Sequence, residues 1–220
     1  MCNRYAVEQS LQAQSEHFQT ETPDPSADGM ARLIYPDSMA PVVINKAGQR
    51  VITPMRWGFP PPPQASDLVT NVRNLNSAFW QDWLQTGQRC LVPVTRFCEY
   101  SDAPDPSTGR KRACWFALDQ AMPLFAFAGV WRPWQGVRGT SRNKVEGSHH
   151  VFAILTTSPN GLVKPIHQKA MPVMLRPEDY SLWLEGSTEA ALGLQKPWPD
   201  EHMILLPDEP QPPPRQGSLF

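Results

Sequence analysis

Five short apolar runs crowd residues 90–157: "CLVPV", "RFCEY", "ACWFAL", "LFAFAGVW" and "HHVFAILTT". Each has the length and the aromatic or β-branched content of a strand, and none is long enough for a core helix. Turn-rich stretches such as "SDAPDPSTGRKR" and "QGVRGTSRNKVEGS" separate them. Upstream, "PVVINKAGQRVITPMRWGF" reads as a hairpin turning at "NKAGQ", and "PPPPQASD" after it cannot continue a ladder. Helical patterns are few: "VEQSLQAQSEHFQ", "SAFWQDWLQTG" with Gly87 as its C-cap, "RPEDYSLWLEG" and "STEAALGL". They do not alternate with the strands, which argues against a parallel α/β sheet. The expectation is an α+β fold: one domain with a largely antiparallel, β-rich core, barrel- or sandwich-like, flanked by short helices. That domain should span residues 1–206, with residues 207–220 a proline-rich tail. Proline at the density of "DEPQPPPRQGSLF" favours a stiff, extended segment.

A formal net charge of −1 over 220 residues advertises no nucleic-acid partner by its overall field. A DNA site would have to be a local basic patch. The amino-terminal stretch lacks the basic and apolar regions of a secretory signal, and no apolar run approaches the roughly 20 residues of a membrane span. A cytoplasmic protein with no membrane partner is expected. Cys2, Cys90, Cys98 and Cys114 show no metal-ligand spacing, so neither a metal nor another cofactor is predicted. Cys90, Cys98 and Cys114 sit in apolar runs and read as buried small hydrophobes. His149 and His150 are adjacent, so on a strand they face opposite sides.

Cys2 stands directly behind the initiator methionine. Removal of Met1 would leave a free α-amine and a thiol on adjacent carbons. Such a 1,2-aminothiol can condense with an aldehyde to an imine and then close a five-membered thiazolidine. The unperturbed amine titrates near about 8 and the thiol near about 8.5, so both need a proton acceptor at neutral pH. Glu99 within "RFCEY" and His167 within "VKPIHQKAMPVML" are the candidate carboxylate and imidazole. Asn71 and Arg73, two apart in "TNVRNLN", share one face if extended and suit a polar, anionic substrate.

The order of "MCNRY", "MRWGF", "NVR", "RCLVPVTRFCEY" and "ILTTSPNGLVKPIHQKAMPVML" resembles the SRAP family, SOS-response-associated peptidase-like proteins that shield abasic sites in DNA. The resemblance spans roughly residues 1–206. It implies a groove for single-stranded DNA and a thiazolidine between Cys2 and the ring-opened abasic sugar. It assigns Asn71, Glu99 and His167 as catalytic partners of Cys2. Arg4, Pro41, Trp57, Arg73 and Thr156 match positions lining the DNA groove, with Trp57 expected as a stacking surface. Asn3 replaces the family's usual glycine, Leu75 stands near the place of a glutamate, and "FCEY" and "GVWR" replace "FYEW" and "GLWE".

The function implied is abasic-site processing by an enzyme that crosslinks itself to single-stranded DNA, with lyase and autocatalytic peptidase activities as further family possibilities. Its place would be the nucleoid or replication fork. Two other readings stand beside it: an amino-terminal-nucleophile cysteine peptidase or amidohydrolase, and a non-enzymatic single-strand binder. The terminal "QGSLF" resembles a sliding-clamp-binding peptide, with Gln216, Leu219 and Phe220 as the contact residues and Gly217 where leucine is commoner.

Overall fold

The computed structural model describes residues 2–21, 24–62, 66–140 and 143–207. The tail residues Gln216, Leu219 and Phe220 lie outside the described residues. Strands come in chain order as β1 (Arg4–Ala6), β2 (Leu33–Ile34), β3 (Met39–Lys46), β4 (Gln49–Trp57) and β5 (Asn71–Val72). There follow β6 (Arg89–Val94), β7 (Arg96–Pro104), β8 (Lys111–Ala117), β9 (Phe125–Thr140) and β10 (Asn143–Thr157). The short β11 (Met171–Pro172), β12 (Met174–Leu175) and β13 (Ile204–Leu205) complete the set. Four short helices accompany them: α1 (Leu11–Phe18), α2 (Ala78–Gln81), α3 (Tyr180–Glu185) and α4 (Thr188–Leu192).

Strands β10, β4, β3, β6 and β9 are neighbours in that order, and β9 pairs back onto β10, which closes a five-stranded barrel. A second sheet runs β13-β8-β7-β1-β2. The pairings are antiparallel except where β10 runs parallel to β4 and to β5. This is the expected α+β, β-rich single domain. The β3–β4 hairpin turns through Ala47 and Gly48, both at positive φ, a geometry matched to the twist of the flanking strands. The Asn45 side chain accepts the Gly48 N–H and fixes that turn.

Alternation explains why the barrel strands read as continuous apolar runs. On β3, Val42 and Ile44 join Trp57 and Phe127 of the other barrel strands and Tyr5, Phe97 and Phe116 of the second sheet in one buried cluster. Val43, on the opposite face, joins Phe18, Trp80, Tyr180 and Trp183 under the helices. Both faces are therefore covered, as a buried sheet requires. Among the described residues no helix is long and apolar enough to cross a membrane.

The stretch "QGVRGTSRNKVEGS" is not the separator its glycines suggested. Strands β9 and β10 run on through it as one antiparallel arm, in unbroken register from Ile154↔Gly129 to Asn143↔Thr140. Asp37 fastens this arm to the barrel. Its carboxylate accepts from Arg138 Nε at 2.9 Å and Nη2 at 2.6 Å, and from the Gly139 N–H at 3.0 Å. Arg138 Nη1 also reaches the Gly58 carbonyl at 2.9 Å. The Arg138 side chain is only 3% exposed, so losing its counter-charge would strand a buried cation. Breaking such a pair costs about 3–5 kcal/mol when both ends are buried, and somewhat less here because Asp37 is partly solvated. Asp37→Ala is therefore expected to lower the free energy of unfolding in urea by about 2–4 kcal/mol. Adding Arg138→Met should restore part of that loss. A change below about 1 kcal/mol would mean that the strand ladder alone holds the arm.

Candidate active site at the amino terminus

Strand β1 lies between β7 and β2, with Arg4 opposite Cys98 and Tyr5 opposite Phe97. Extending that register backwards carries Cys2 toward the Glu99–Tyr100 end of β7. Alternation along β7 then decides which side chains meet it. Phe97 and Glu99 face the main core, while Cys98 and Tyr100 lie on the opposite face, where Cys98 is buried against Ala6 and Trp115. Glu99 is 1% exposed and Cys2 fully buried.

Asn71 arrives from another direction. Strand β5 pairs with β10, Asn71 against Ile154. The Asn71 amide donates to the Cys2 carbonyl at 3.1 Å and to Thr70 Oγ1 at 2.8 Å. His167 comes from the turn after β10, where its N–H donates to the Val163 carbonyl at 2.9 Å and Asn160 Oδ1 accepts the Val163 N–H. His167 Nε2 stands 3.9 Å from Glu99 Oε2. Segments some 70 and 165 residues downstream of Cys2 thus converge on it.

The burial that gathers these groups also sets their protonation. It raises the Glu99 carboxyl from 4.5 to about 7. Burial, and then the negative charge of Glu99, push the Cys2 thiol well above the usual thiol range. His167 is held below its ordinary value, chiefly by burial, with Asp102 pulling the other way. A carboxyl near 7 exchanges a proton readily at neutral pH, as a general base must.

Asp102 escaped the sequence reading. It falls in "SDAPDPSTGRKR", which looks like a turn, yet β7 runs on to Pro104. The register against β8 shifts between Tyr100 and Pro104, which frees Asp102 to meet the His167 turn. Its Oδ1 lies 3.2 Å from His167 Nδ1.

The residues expected to line a DNA groove separate into two sets. Arg73 is exposed just beyond β5. Arg4 is half-buried: its guanidinium donates to Cys98 Sγ at 3.2 Å and lies over the rings of Trp115 and Tyr100. Trp57, by contrast, is fully buried, edge-on to Tyr5 with its indole N–H on the Thr70 carbonyl. No face remains for a base, so the expected stacking role is corrected to core packing. Thr156 is also fully buried and donates its hydroxyl to the Val72 carbonyl. Pro41 is buried in β3 opposite Pro54. Neither side chain is available to a nucleotide. The partly exposed aromatic residues beside Arg4 are instead Tyr35 and Tyr100, the latter with the guanidinium over its ring. All four cysteines are buried and free, and no group of three or more His, Cys, Asp or Glu among the described residues is arranged to hold a metal ion.

Comparison with known proteins identifies the family and the fold. The family model described as SOS response associated peptidase (SRAP) matches residues 1–208, and the chain belongs to that family. Its membership supports a role associated with DNA damage. No protein of curated function matches the chain. A crystal structure of a Bordetella bronchiseptica protein superposes with a TM-score of 0.73 at 17% identity, covering 93% of this chain and 98% of that one. One from Bacteroides thetaiotaomicron gives 0.73 at 18%, covering 93% and 90%. A phage-related protein from Bordetella bronchiseptica gives 0.68 at 21%, covering 94% and 93%. At these identities the likeness speaks for the fold.

The raised Glu99 carboxyl has a consequence for stability. The folded chain holds this proton more tightly than the unfolded chain, so the associated stability is full below about pH 4.5 and is lost as pH rises through about 7. Glu99→Gln carries no such penalty. Its stability advantage over wild type should grow between about pH 5 and pH 8, by on the order of 2–3 kcal/mol in denaturant unfolding. An advantage that stays flat across that range would mean that Glu99 is ordinary in its proton affinity.

Proposed function

We propose that the mature protein captures abasic sites in single-stranded DNA by forming a thiazolidine at Cys2, and so shields them when damaged DNA is copied. The observation that carries this reading is the convergence of Asn71, Glu99 and His167 on the Cys2 terminus, where an α-amine appears once Met1 is removed. A conventional thiol nucleophile would need its thiolate, and the buried Cys2 thiol is pushed away from that form. An amine-first route suits this environment better.

The sequence of steps follows. The abasic hemiacetal opens to its aldehyde, with His167 moving a proton at the sugar oxygen. The Cys2 amine attacks the aldehyde carbon, and loss of one water leaves an imine. Glu99, with a carboxyl near 7, takes the proton that the amine or thiol gives up. The sulfur then adds to the imine carbon, a C–S bond forms, and the nitrogen takes a proton. The balance is aldehyde plus aminothiol to thiazolidine plus water, with no oxidant or reductant. Asn71, through the Cys2 carbonyl, holds the terminus in line. Arg4 and Arg73 supply positive charge for phosphates, and the exposed Tyr35 offers a ring face for a base. Aromatic stacking of this kind is worth roughly 1–3 kcal/mol per base.

Incubation of the mature protein with abasic single-stranded DNA should give a product that survives denaturing electrophoresis. Cys2→Ala should give none without treatment, and borohydride should trap its amine as a reduced imine. Glu99→Gln and His167→Ala should slow the reaction by about 10²–10⁴-fold while sparing binding to intact single strands. Non-covalent binding should weaken with salt, and the finished adduct should not. An untreated, stable adduct from Cys2→Ala would overturn the assignment.

The carboxy-terminal "QGSLF" extends the same reading to recruitment. Leu219 and Phe220 are suited to an apolar pocket on a replicative sliding clamp, with Gln216 hydrogen-bonding at its rim. Such recruitment would bring the protein to replication forks, where abasic sites become single-stranded. Deleting residues 216–220 should abolish binding to the host's clamp and leave crosslinking of free DNA unchanged. Equal clamp binding by both forms, or binding by neither, would refute it.

A further inference from the structure

We infer that Asp102 is a positioning residue for this chemistry: it accepts a hydrogen bond from the Nδ1–H of His167 and ties down the His167 turn, so that Nε2 faces Glu99 as the proton-exchanging nitrogen. The inference rests on the proposed crosslinking reaction, but its structural half stands independently on three contacts made by one residue. Asp102 Oδ1 is 3.2 Å from His167 Nδ1. Asp102 Oδ2 accepts the Gln168 N–H at 2.9 Å. The Asp102 N–H donates to the Ile166 carbonyl at 3.0 Å. The residue therefore grips the backbone on both sides of His167 as well as its ring.

The ring has two nitrogens, and a neutral imidazole protonates only one of them. A carboxylate accepts and cannot donate, so its presence at Nδ1 selects the tautomer with the proton there. Nε2 is left with its lone pair toward Glu99 Oε2, 3.9 Å away. That separation is longer than a direct hydrogen bond and leaves room for a proton to be exchanged through a bound water or substrate hydroxyl. The Gln168 N–H, the neighbouring His167 and Lys111 all hold the Asp102 carboxyl below its usual value, which keeps it an acceptor at neutral pH.

The charges facing His167 come from several directions. Glu99 and Asp102 approach from β7, Lys169 lies on the same turn, and the positive charge of the amino terminus also acts on the ring. Asp102 raises the proton affinity of His167 against the lowering by burial and by positive charge. Removing its charge should therefore shift the titration of His167 to lower pH.

Asparagine separates these roles from mere packing. It has nearly the shape of aspartate but only one acceptor oxygen, while two N–H groups, from His167 and Gln168, need acceptors here. Whichever way its amide turns, one contact is lost, and the ring can recover by moving its proton to Nε2.

The test uses the full-length mature protein as wild type, Asp102→Asn, Asp102→Glu and His167→Ala. Histidine ¹⁵N spectra recorded above the His167 titration, assigned by loss in His167→Ala, should show the Nδ1–H tautomer in wild type and Nε2–H in Asp102→Asn. Crosslinking rates with abasic single-stranded DNA should fall at least about 10-fold in Asp102→Asn, within the roughly 10²–10⁴-fold that His167→Ala costs. The limb of the pH–rate profile due to His167 should move to lower pH, and Asp102→Glu should recover part of the rate. An unchanged tautomer overturns the inference, as does a switched tautomer with unchanged rate, or a rate loss equal at every pH. A wild type with the Nδ1–H tautomer that forms no adduct would refute the crosslinking function and leave the Asp102–His167 arrangement standing.

Discussion

Strand β10 is the constraint on which the rest depends. It pairs with β9 along one edge, with β4 and β5 along the other, and with β11 near its end. Closing the barrel through β9 satisfies edge groups that an open sheet would expose. The same closure fixes the site. Parallel pairing of Ile154 with Asn71 sets the amide that holds the Cys2 carbonyl. The chain leaving β10 at Thr157 turns through Asn160 and Val163 to deliver His167. A slip of one residue in β10 would reverse the sides of Ile154 and Leu155 and move Asn71 with them.

Burial does the chemical tuning. Placing a carboxyl in an apolar sheet is costly, and Glu99 answers by holding its proton up to about 7. A glutamate on the solvent face of β7 would remain fully ionised at neutral pH and be a weak base. The Cys2 thiol is pushed away from thiolate by the same burial and by the same carboxylate. For the proposed crosslinking reaction, this favours an order in which the amine reacts first and sulfur closes the ring later. Stability lost by ionising Glu99 is tied to its proposed use as a base, and the clusters of aromatic side chains on both faces of the barrel sustain that cost.

The strand-rich character, the β3–β4 hairpin and the four short helices were legible because each rests on local pattern: turn residues at "NKAGQ", short apolar runs bounded by turns, and helical spacing of apolar residues, although the second helical stretch stops at Gln85 and not at Gly87. The residues around Cys2 were legible through ordered short motifs. Three things were not. Glycines 136, 139 and 147 disguised the β9–β10 arm as loop, although its hold on the barrel comes from the distant Asp37. Trp57 ends a hairpin, where an aromatic ring looks the same whether it faces solvent or Tyr5. Asp102 owes its position to a register shift in β7, which depends on tertiary contact with residues 166–168 and leaves no mark on local composition.

The central claim is that the amino-terminal aminothiol, and no other nucleophile, joins to the abasic sugar. Peptide mapping of the wild-type adduct by mass spectrometry tests it most directly. After trypsin and nuclease digestion, the label should sit on the amino-terminal peptide Cys2–Arg4, without Met1, at the mass of peptide plus sugar remnant less one water. A label on a lysine, or on Cys90, Cys98 or Cys114, would contradict the account.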